Sequence, residues 1–167
     1  MRKSLLLAIA GGSLLLIALA PAVTGDDSRS FKAKLNGYLE VPSVSTPATG
    51  RFTARLSGDG DTLRYRLRLS GFLETPLFAH IHFARPDVNG GVIAFLCGGG
   101  GKPACPADGV VEGTVTAADV IGPIDRGITA GEFDELIRAM RNGATYVNAH
   151  TPTYGPGEIR GNISRGG

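Results

Sequence analysis

The sequence of 167 residues has no tryptophan, two cysteines, three histidines and 7% aromatic residues. Two cysteines are too few for a disulfide-dense scaffold or for a zinc site with four thiolates. The 17 basic and 15 acidic residues nearly cancel, so no excess of one sign can hold nucleic acid through overall charge. With 25 glycines, 10 prolines and 43% hydrophobic residues, the composition is that of one ordered domain, not of a collagen-like or disordered chain.

The long apolar run of the sequence lies at its N-terminus. Arg2 and Lys3 precede 16 uncharged residues, 5–20, and Ala20-Pro21-Ala22 fits a small-x-small cleavage site. This pattern predicts a secretory signal peptide over residues 1–22, a short tether over 23–30 and one β domain over 31–165. An uncleaved membrane anchor is the alternative, but 16 residues fall short of the roughly 20 that span a bilayer. We therefore expect an exported protein, periplasmic or secreted, with no stable membrane span after cleavage.

The catalytic motifs that a sequence can reveal are missing. The chain has no Gly-x-Ser-x-Gly elbow, no His-Glu-x-x-His pair and no Walker loop. No pair of carboxylates is placed for glycoside chemistry. We therefore expect a protein that is not an enzyme.

Cys97 and Cys105 enclose a loop that contains four consecutive glycines. The spacing is not Cys-x-x-Cys, and there is no second cysteine pair to complete a metal site. Because exported proteins keep disulfides, the two cysteines are predicted to form a structural disulfide, with a metal or redox pair as the alternative.

Apolar residues alternate with polar ones in about eight short segments separated by turn residues. This period of two predicts a mainly β fold, a sandwich or a barrel. One helix is predicted over residues 130–142, from the capping box of Thr129 and Glu132 and the apolar stripe of Phe133, Leu136, Ile137 and Met140. A weaker capping pattern, from Thr116 to Asp119, predicts a single helical turn.

The three histidines of the sequence all lie in predicted strands or at their ends. His80 and His82 share one strand face, because residues i and i+2 point the same way. The same rule groups Tyr146, Asn148 and His150, and separately Glu158 and Arg160. If the three strands are neighbours, the imidazoles, with Glu158 as a further ligand, could bind copper or zinc. Otherwise the histidines are solvated outward positions.

Five arginines alternate with apolar residues in two neighbouring segments. They are Arg51, Arg55, Arg64, Arg66 and Arg68. Two interpretations remain open: a basic stripe that faces a polyanion or partner, or a solvated face with local carboxylate partners.

Several short motifs occur in a fixed order: Leu35-Asn36-Gly37 with Glu40-Val41-Pro42, Ala48-Thr49-Gly50, residues 79–82, residues 146–151 and residues 157–161. This ordered set resembles the CHRD domain, the repeated domain of chordin, over residues 31–163. The resemblance implies an extracytoplasmic, immunoglobulin-like β-sandwich or barrel of antiparallel strands, without an established activity. The family commonly has Glu-Val-Pro-Pro where this chain has Ser43 after Pro42.

The His-x-His strand is also similar to that of copper/zinc superoxide dismutase, a Greek-key barrel. That similarity implies His80, His82 and His150 as copper ligands. However, the chain lacks the bridging histidine and the zinc loop, which leaves a mononuclear site at most.

Two functions are therefore expected as alternatives. The first is a non-enzymatic domain that binds an unidentified protein or surface at the cell envelope or outside the cell, without nucleic acid as a partner. The second is a mononuclear copper or zinc protein that uses His80, His82, His150 and Glu158.

Overall fold

The computed structural model describes residues 29–166, so the predicted signal peptide and most of the tether lie outside the described residues. The described chain is mainly β, with one α-helix. The strands are β1 (Ser30–Asn36), β2 (Thr49–Leu56), β3 (Leu63–Ser70), β4 (Phe78–Phe83), β5 (Gly91–Cys97), β6 (Gly109–Val115), β7 (Thr145–His150), β8 (Ile159–Asn162) and β9 (Ser164–Arg165). The helix α1 spans Phe133–Arg141. Short 3₁₀ turns cover Gly37–Leu39, Ala117–Asp119 and Ile124–Arg126.

All the strands belong to one antiparallel sheet that forms a nearly closed barrel. Its order is β5-β4-β7-β8-β1-β2-β3-β6, and the short β9 pairs with β1. The predicted antiparallel β fold of about eight strands is confirmed, and the structure takes the barrel form. Among residues 29–166, no helix has the length and apolar character needed to cross a membrane.

The strand β3 shows how the sequence pattern becomes a barrel wall. Leu63, Tyr65, Leu67 and Leu69 are buried in the core, and the arginines between them are exposed. In β7, by contrast, all six residues are buried. Since alternate residues of a strand point to opposite faces, the outer face of β7 must also be covered. This covered outer face is where the histidines lie.

The barrel remains open between β5 and β6, and the disulfide closes one end of this seam. Cys97, the last residue of β5, is bonded to Cys105 in the loop before β6. From the same loop, Lys102 Nζ donates to the Thr114 carbonyl of β6 at 2.7 Å and to Asp119 at 2.6 Å. The Tyr65 hydroxyl donates to the Leu96 carbonyl of β5 at 2.6 Å. These bonds protect strand edges that could otherwise pair with another chain.

The helix is shorter than the sequence predicts. The Thr129 backbone N–H donates to the Glu132 carboxylate at 2.5 Å, but this bond closes a turn that precedes the helix. The helix therefore begins at Phe133 and ends at Arg141, instead of spanning 130–142. Its predicted apolar stripe is buried and joins the barrel core. The single turn predicted near Thr116 is present over Ala117–Asp119.

We expect loss of the disulfide to lower stability without changing the fold. Closing a short loop removes conformational freedom from the unfolded chain, which contributes roughly 2–3 kcal/mol. A double variant, Cys97→Ala with Cys105→Ala, should show this loss in urea unfolding while its circular dichroism stays that of the wild type. Dithiothreitol should destabilise the wild type and leave the variant unaffected. Equal midpoints for the oxidised and reduced wild type would contradict the prediction.

Candidate metal site on the outer face of the barrel

The strands that carry the predicted site residues are neighbours in the sheet. In the antiparallel register of β4 and β7, His80 lies opposite Asn148 and His82 opposite Tyr146. In the register of β7 and β8, Asn148 also lies opposite Arg160. The alternate residues of these strands, such as Ile81 and Val147, fill the core. The outer faces of β4, β7 and β8 therefore form one polar cluster.

This polar cluster is covered rather than solvated. The exposed fractions of His80, His82 and His150 are 5%, 7% and 6%, and Arg160 is fully buried. The segments 84–90 and 151–157 contact the cluster through backbone carbonyls. The ring of Phe95 meets His80 edge to face, with the ring centres 4.4 Å apart. The alternative of solvated outward histidines is therefore wrong.

The three imidazoles converge on one point. A ring nitrogen from each histidine lies within 4.8 Å of the ring nitrogens of the other two. The shortest contact joins His80 Nδ1 and His150 Nε2 at 3.2 Å. All three histidines of the chain are in this cluster. Any binding that depends on histidine must therefore arise here.

Backbone carbonyls set the tautomers of two of these rings. Nδ1 of His82 is 2.9 Å from the Gly90 carbonyl oxygen, and Nδ1 of His150 is 2.8 Å from that of Gly155. A carbonyl oxygen only accepts, so both Nδ1 atoms carry the proton. Nε2 of His150 lies 2.9 Å from the Asn148 side-chain oxygen. Among the described residues, Nε2 of His82 is buried and has no hydrogen-bond partner. Such carbonyl contacts orient histidine ligands in metal sites.

The histidines are neutral at physiological pH. Burial, together with the neighbouring His150 and His82, lowers the pKa of His80 to about 3. Burial is also the main reason that the pKa of His82 falls to about 4. The pKa of His150 is lowered by burial as well, against the opposing effect of the Gly155 carbonyl. Neutral imidazole is the form that coordinates copper and zinc, so no proton has to leave before an ion binds.

A column of stacked groups supports His82. The His82 ring is parallel to that of Tyr146, with ring centres 4.7 Å apart and an interplanar angle of 6°. On the other side, the guanidinium carbon of Arg160 lies 3.4 Å from the centre of the Tyr146 ring. Arg160 donates to Val88 O at 2.8 Å and to Asn89 Oδ1 at 3.1 Å. The predicted strand-face residues Tyr146 and Arg160 thus fix the orientation of a candidate ligand.

The structure does not bring Glu158 into the histidine cluster. One carboxylate oxygen of Glu158 accepts from the Thr46 hydroxyl at 2.6 Å, and the other accepts from the Thr151 hydroxyl at 2.6 Å. Both hydroxyls belong to loops that cover the outer face. The position of Glu158 therefore points to a role in holding these loops together.

Sequence reasoning missed Glu40. It follows the 3₁₀ turn after β1 and is only 5% exposed. Burial raises the pKa of its carboxyl, against the opposing effects of the Val41 backbone N–H, Arg160 and Asn148. Its approach requires Gly157, where a Cβ would lie 2.3 Å from Glu40 Oε1. The available signal was its place in the ordered motifs, within Glu40-Val41-Pro42.

Residues 31–163 match the family model described as the CHRD domain. The chain belongs to the CHRD domain family. The match covers most of the chain, and it agrees with the resemblance read from the ordered motifs. No curated protein matches the sequence. CHRD domains are of the extracellular type, and the disulfide of this one fits an oxidising compartment.

Proposed function

We propose that this CHRD domain is an exported, non-enzymatic binding module that holds one copper or zinc ion through His80, His82 and His150. The observation that carries the proposal is the convergence of three buried, neutral imidazoles on the outer face of the barrel. Imidazole is a ligand that both metals accept. The predicted signal peptide and the disulfide support a site of action in the periplasm, at the cell envelope or outside the cell.

The distances in the cluster are close to those of a coordinated ion. With metal–nitrogen bonds of about 2.0–2.1 Å, two ligands of a tetrahedral ion lie about 3.4 Å apart. The His80–His150 contact of 3.2 Å is near this value, and the widest separation in the cluster is within 4.8 Å. His82 already presents Nε2, because its Nδ1–H group is held by the Gly90 carbonyl and its Nε2 has no hydrogen-bond partner among the described residues. An ion would replace the contact of His150 Nε2 with Asn148 Oδ1.

The burial of the cluster supports a binding role over catalysis. A catalytic zinc or copper ion keeps an open position for substrate, whereas structural and storage sites are closed. Here the aromatic ring of Phe95 and the segments 84–90 and 151–157 lie over the ligands. An ion at this place would stabilise the covering segments and would be shielded from a large substrate.

Metal titration of untagged, metal-free protein tests the proposal. We expect one Zn²⁺ or one copper ion per chain, measured by elemental analysis and calorimetry. At a free metal concentration about 100-fold above the dissociation constant, the folded state should gain roughly 2.7 kcal/mol, which corresponds to about 5–10 °C in melting temperature. Protein that stays metal-free and melts at an unchanged temperature in both titrations would refute the proposal.

Variants locate the ion. His82→Ala and, separately, His150→Gln should abolish stoichiometric binding while circular dichroism confirms that each still folds. Glu158→Gln serves as the matched control, because Glu158 is buried nearby but bonded to two threonines. It should keep one ion per chain. Loss of the ion in Glu158→Gln, or its retention in both histidine variants, would contradict a site made by the histidines alone.

A further inference from the structure

The half of the barrel remote from the histidines carries a strongly basic surface. Its outward positions on β1, β2, β3 and β6 are here named the basic face. The five arginines of the sequence stripe are all exposed on it, and β1 adds Lys32 and Lys34. Glu112 on β6 is the one carboxylate at an outward position of these strands, while Asp59, Asp61 and Asp108 lie beyond the strand ends. The basic face therefore holds seven cations and one anion.

Several cations of the basic face lie directly opposite one another on neighbouring strands. Arg51 lies directly opposite Arg68, and Arg55 lies directly opposite Arg64. On the other neighbouring strand, β1, Lys34 lies opposite Arg51. Like charges that face each other across strands destabilise a sheet. A surface that served stability alone would avoid these pairs, so their presence points to an external anion.

Carboxylates of the chain do not neutralise this surface. In the described part of the chain, Arg66 forms an ion pair with Glu112, and it is alone among the seven cations in having a carboxylate partner. Arg55 donates to the Ser30 hydroxyl instead. The interpretation as a solvated face with local carboxylate partners therefore holds for Arg66 only.

The small net charge of the sequence conceals this asymmetry. From residue 23 onward the sequence has 15 basic and 15 acidic residues. Since the basic face carries a net charge of +6, the remaining residues carry −6. Such a separation of charge orients a protein at a charged surface even when its net charge is zero.

We propose that the basic face adsorbs to an anionic phospholipid membrane. The cations cover three adjacent strands and three successive outward positions along them, so they form a two-dimensional array that can face several headgroups at once. Guanidinium groups bind phosphate oxygens in bidentate pairs. No outward position of the four strands is aromatic, so the stacking platform typical of single-stranded nucleic acid sites is missing.

Vesicle sedimentation tests this proposal directly. Metal-free protein should sediment with vesicles of equal parts phosphatidylglycerol and phosphatidylcholine, and it should stay in solution with phosphatidylcholine alone. Binding should weaken as salt is raised, because ions screen exposed charges beyond about 10 Å at 0.1 M. Each cation near an anionic leaflet contributes about fivefold to binding. The double variant Arg51→Gln with Arg68→Gln should therefore bind the anionic vesicles roughly 25-fold more weakly.

A control with the same change in net charge separates local from global effects. Arg126→Gln with Arg138→Gln alters exposed arginines of the segment between β6 and β7 and should bind as the wild type. The variant of Arg51 and Arg68 should melt no lower than the wild type, because it removes a repulsive pair. Equal loss in both double variants would overturn the proposal. Binding to soluble polyphosphate without binding to vesicles would overturn it too, in favour of a linear polyanion.

Discussion

Lowering the pH from 7 to 4.5 is expected to reduce the free energy of unfolding of the metal-free protein by roughly 3–5 kcal/mol. In the folded state the pKa of His80 is about 3 and that of His82 about 4. An unfolded histidine has a pKa of about 6.5. Below pH 6.5 the unfolded chain therefore binds protons that the folded cluster does not bind, and acid favours unfolding.

The sign and the pH window follow from these shifts. The stabilising contribution of each neutral histidine is complete above pH 6.5 and is lost as the pH falls towards the folded pKa. Each histidine could lose about 2.7 kcal/mol over two pH units, and mutual repulsion of the new charges makes the two losses interdependent. The raised pKa of Glu40 acts in the opposite direction, because protonation of its carboxyl is easier in the folded state. The net loss should still be a large share of a typical total of 5–15 kcal/mol.

Urea unfolding at a series of pH values measures this effect. The control is a variant with His80→Gln and His82→Gln, which should show a much flatter dependence between pH 6.5 and 4.5. A wild type whose midpoint stays constant over that interval would show that the imidazoles are not held neutral by burial. Bound metal should raise stability at pH 7 and be released on acidification, since protons compete for the same nitrogens.

The barrel could be predicted from the sequence because its strands keep a strict period of two. In β3, leucine and tyrosine side chains that point inward alternate with arginines that point outward. That alternation alone defines a half-buried strand. The helix boundary was less predictable. The capping-box residues Thr129 and Glu132 do bond to each other, but tertiary packing begins the helix at Phe133.

The candidate site was predictable only in part. The rule that i and i+2 share a face placed His80 with His82, and Tyr146 with Asn148 and His150. Which strands are neighbours depends on long-range pairing that local periodicity does not encode. The sequence also did not reveal that the site residues are buried, and this was the larger difference from the structure. Solvated outward positions remained one of two interpretations of the polar residues of β7, because nothing in their own segment shows that loops from 84–90 and 151–157 cover them.

The positions of Glu40 and Glu158 could not be predicted for a related reason. Glu158 lies on the same alternating set as Arg160, which made it the candidate carboxylate of the site. In the structure its oxygens are taken by Thr46 and Thr151, and both hydroxyls come from loops. Glu40 reaches the cluster because its loop folds back over Gly157. Side-chain positions set by loops cannot be derived from strand periodicity.

Replacement of Arg160 by methionine is expected to cost roughly 3–5 kcal/mol of folding free energy, because two hydrogen bonds from a charged group are lost, at about 1.5–3 kcal/mol each. The guanidinium is fully buried and lies against the Tyr146 ring. It donates to Val88 O and Asn89 Oδ1, which would lose their donors. Glu40 would also lose the positive charge that opposes the rise in its pKa on burial.

A double-mutant cycle tests whether Glu40 and Arg160 are electrostatically coupled. Glu40→Gln removes the carboxyl group whose pKa Arg160 lowers, so Arg160→Met should cost less in that background than in the wild type, by about 1 kcal/mol or more. Arg160→Lys keeps the charge but cannot lie flat on Tyr146 while bonding both Val88 and Asn89, so it should rescue only part of the loss. Urea midpoints of the four cycle members provide the coupling energy. Additive losses would mean that Arg160 acts through its ring and carbonyl contacts alone, and that the Glu40 carboxylate is not its electrostatic partner.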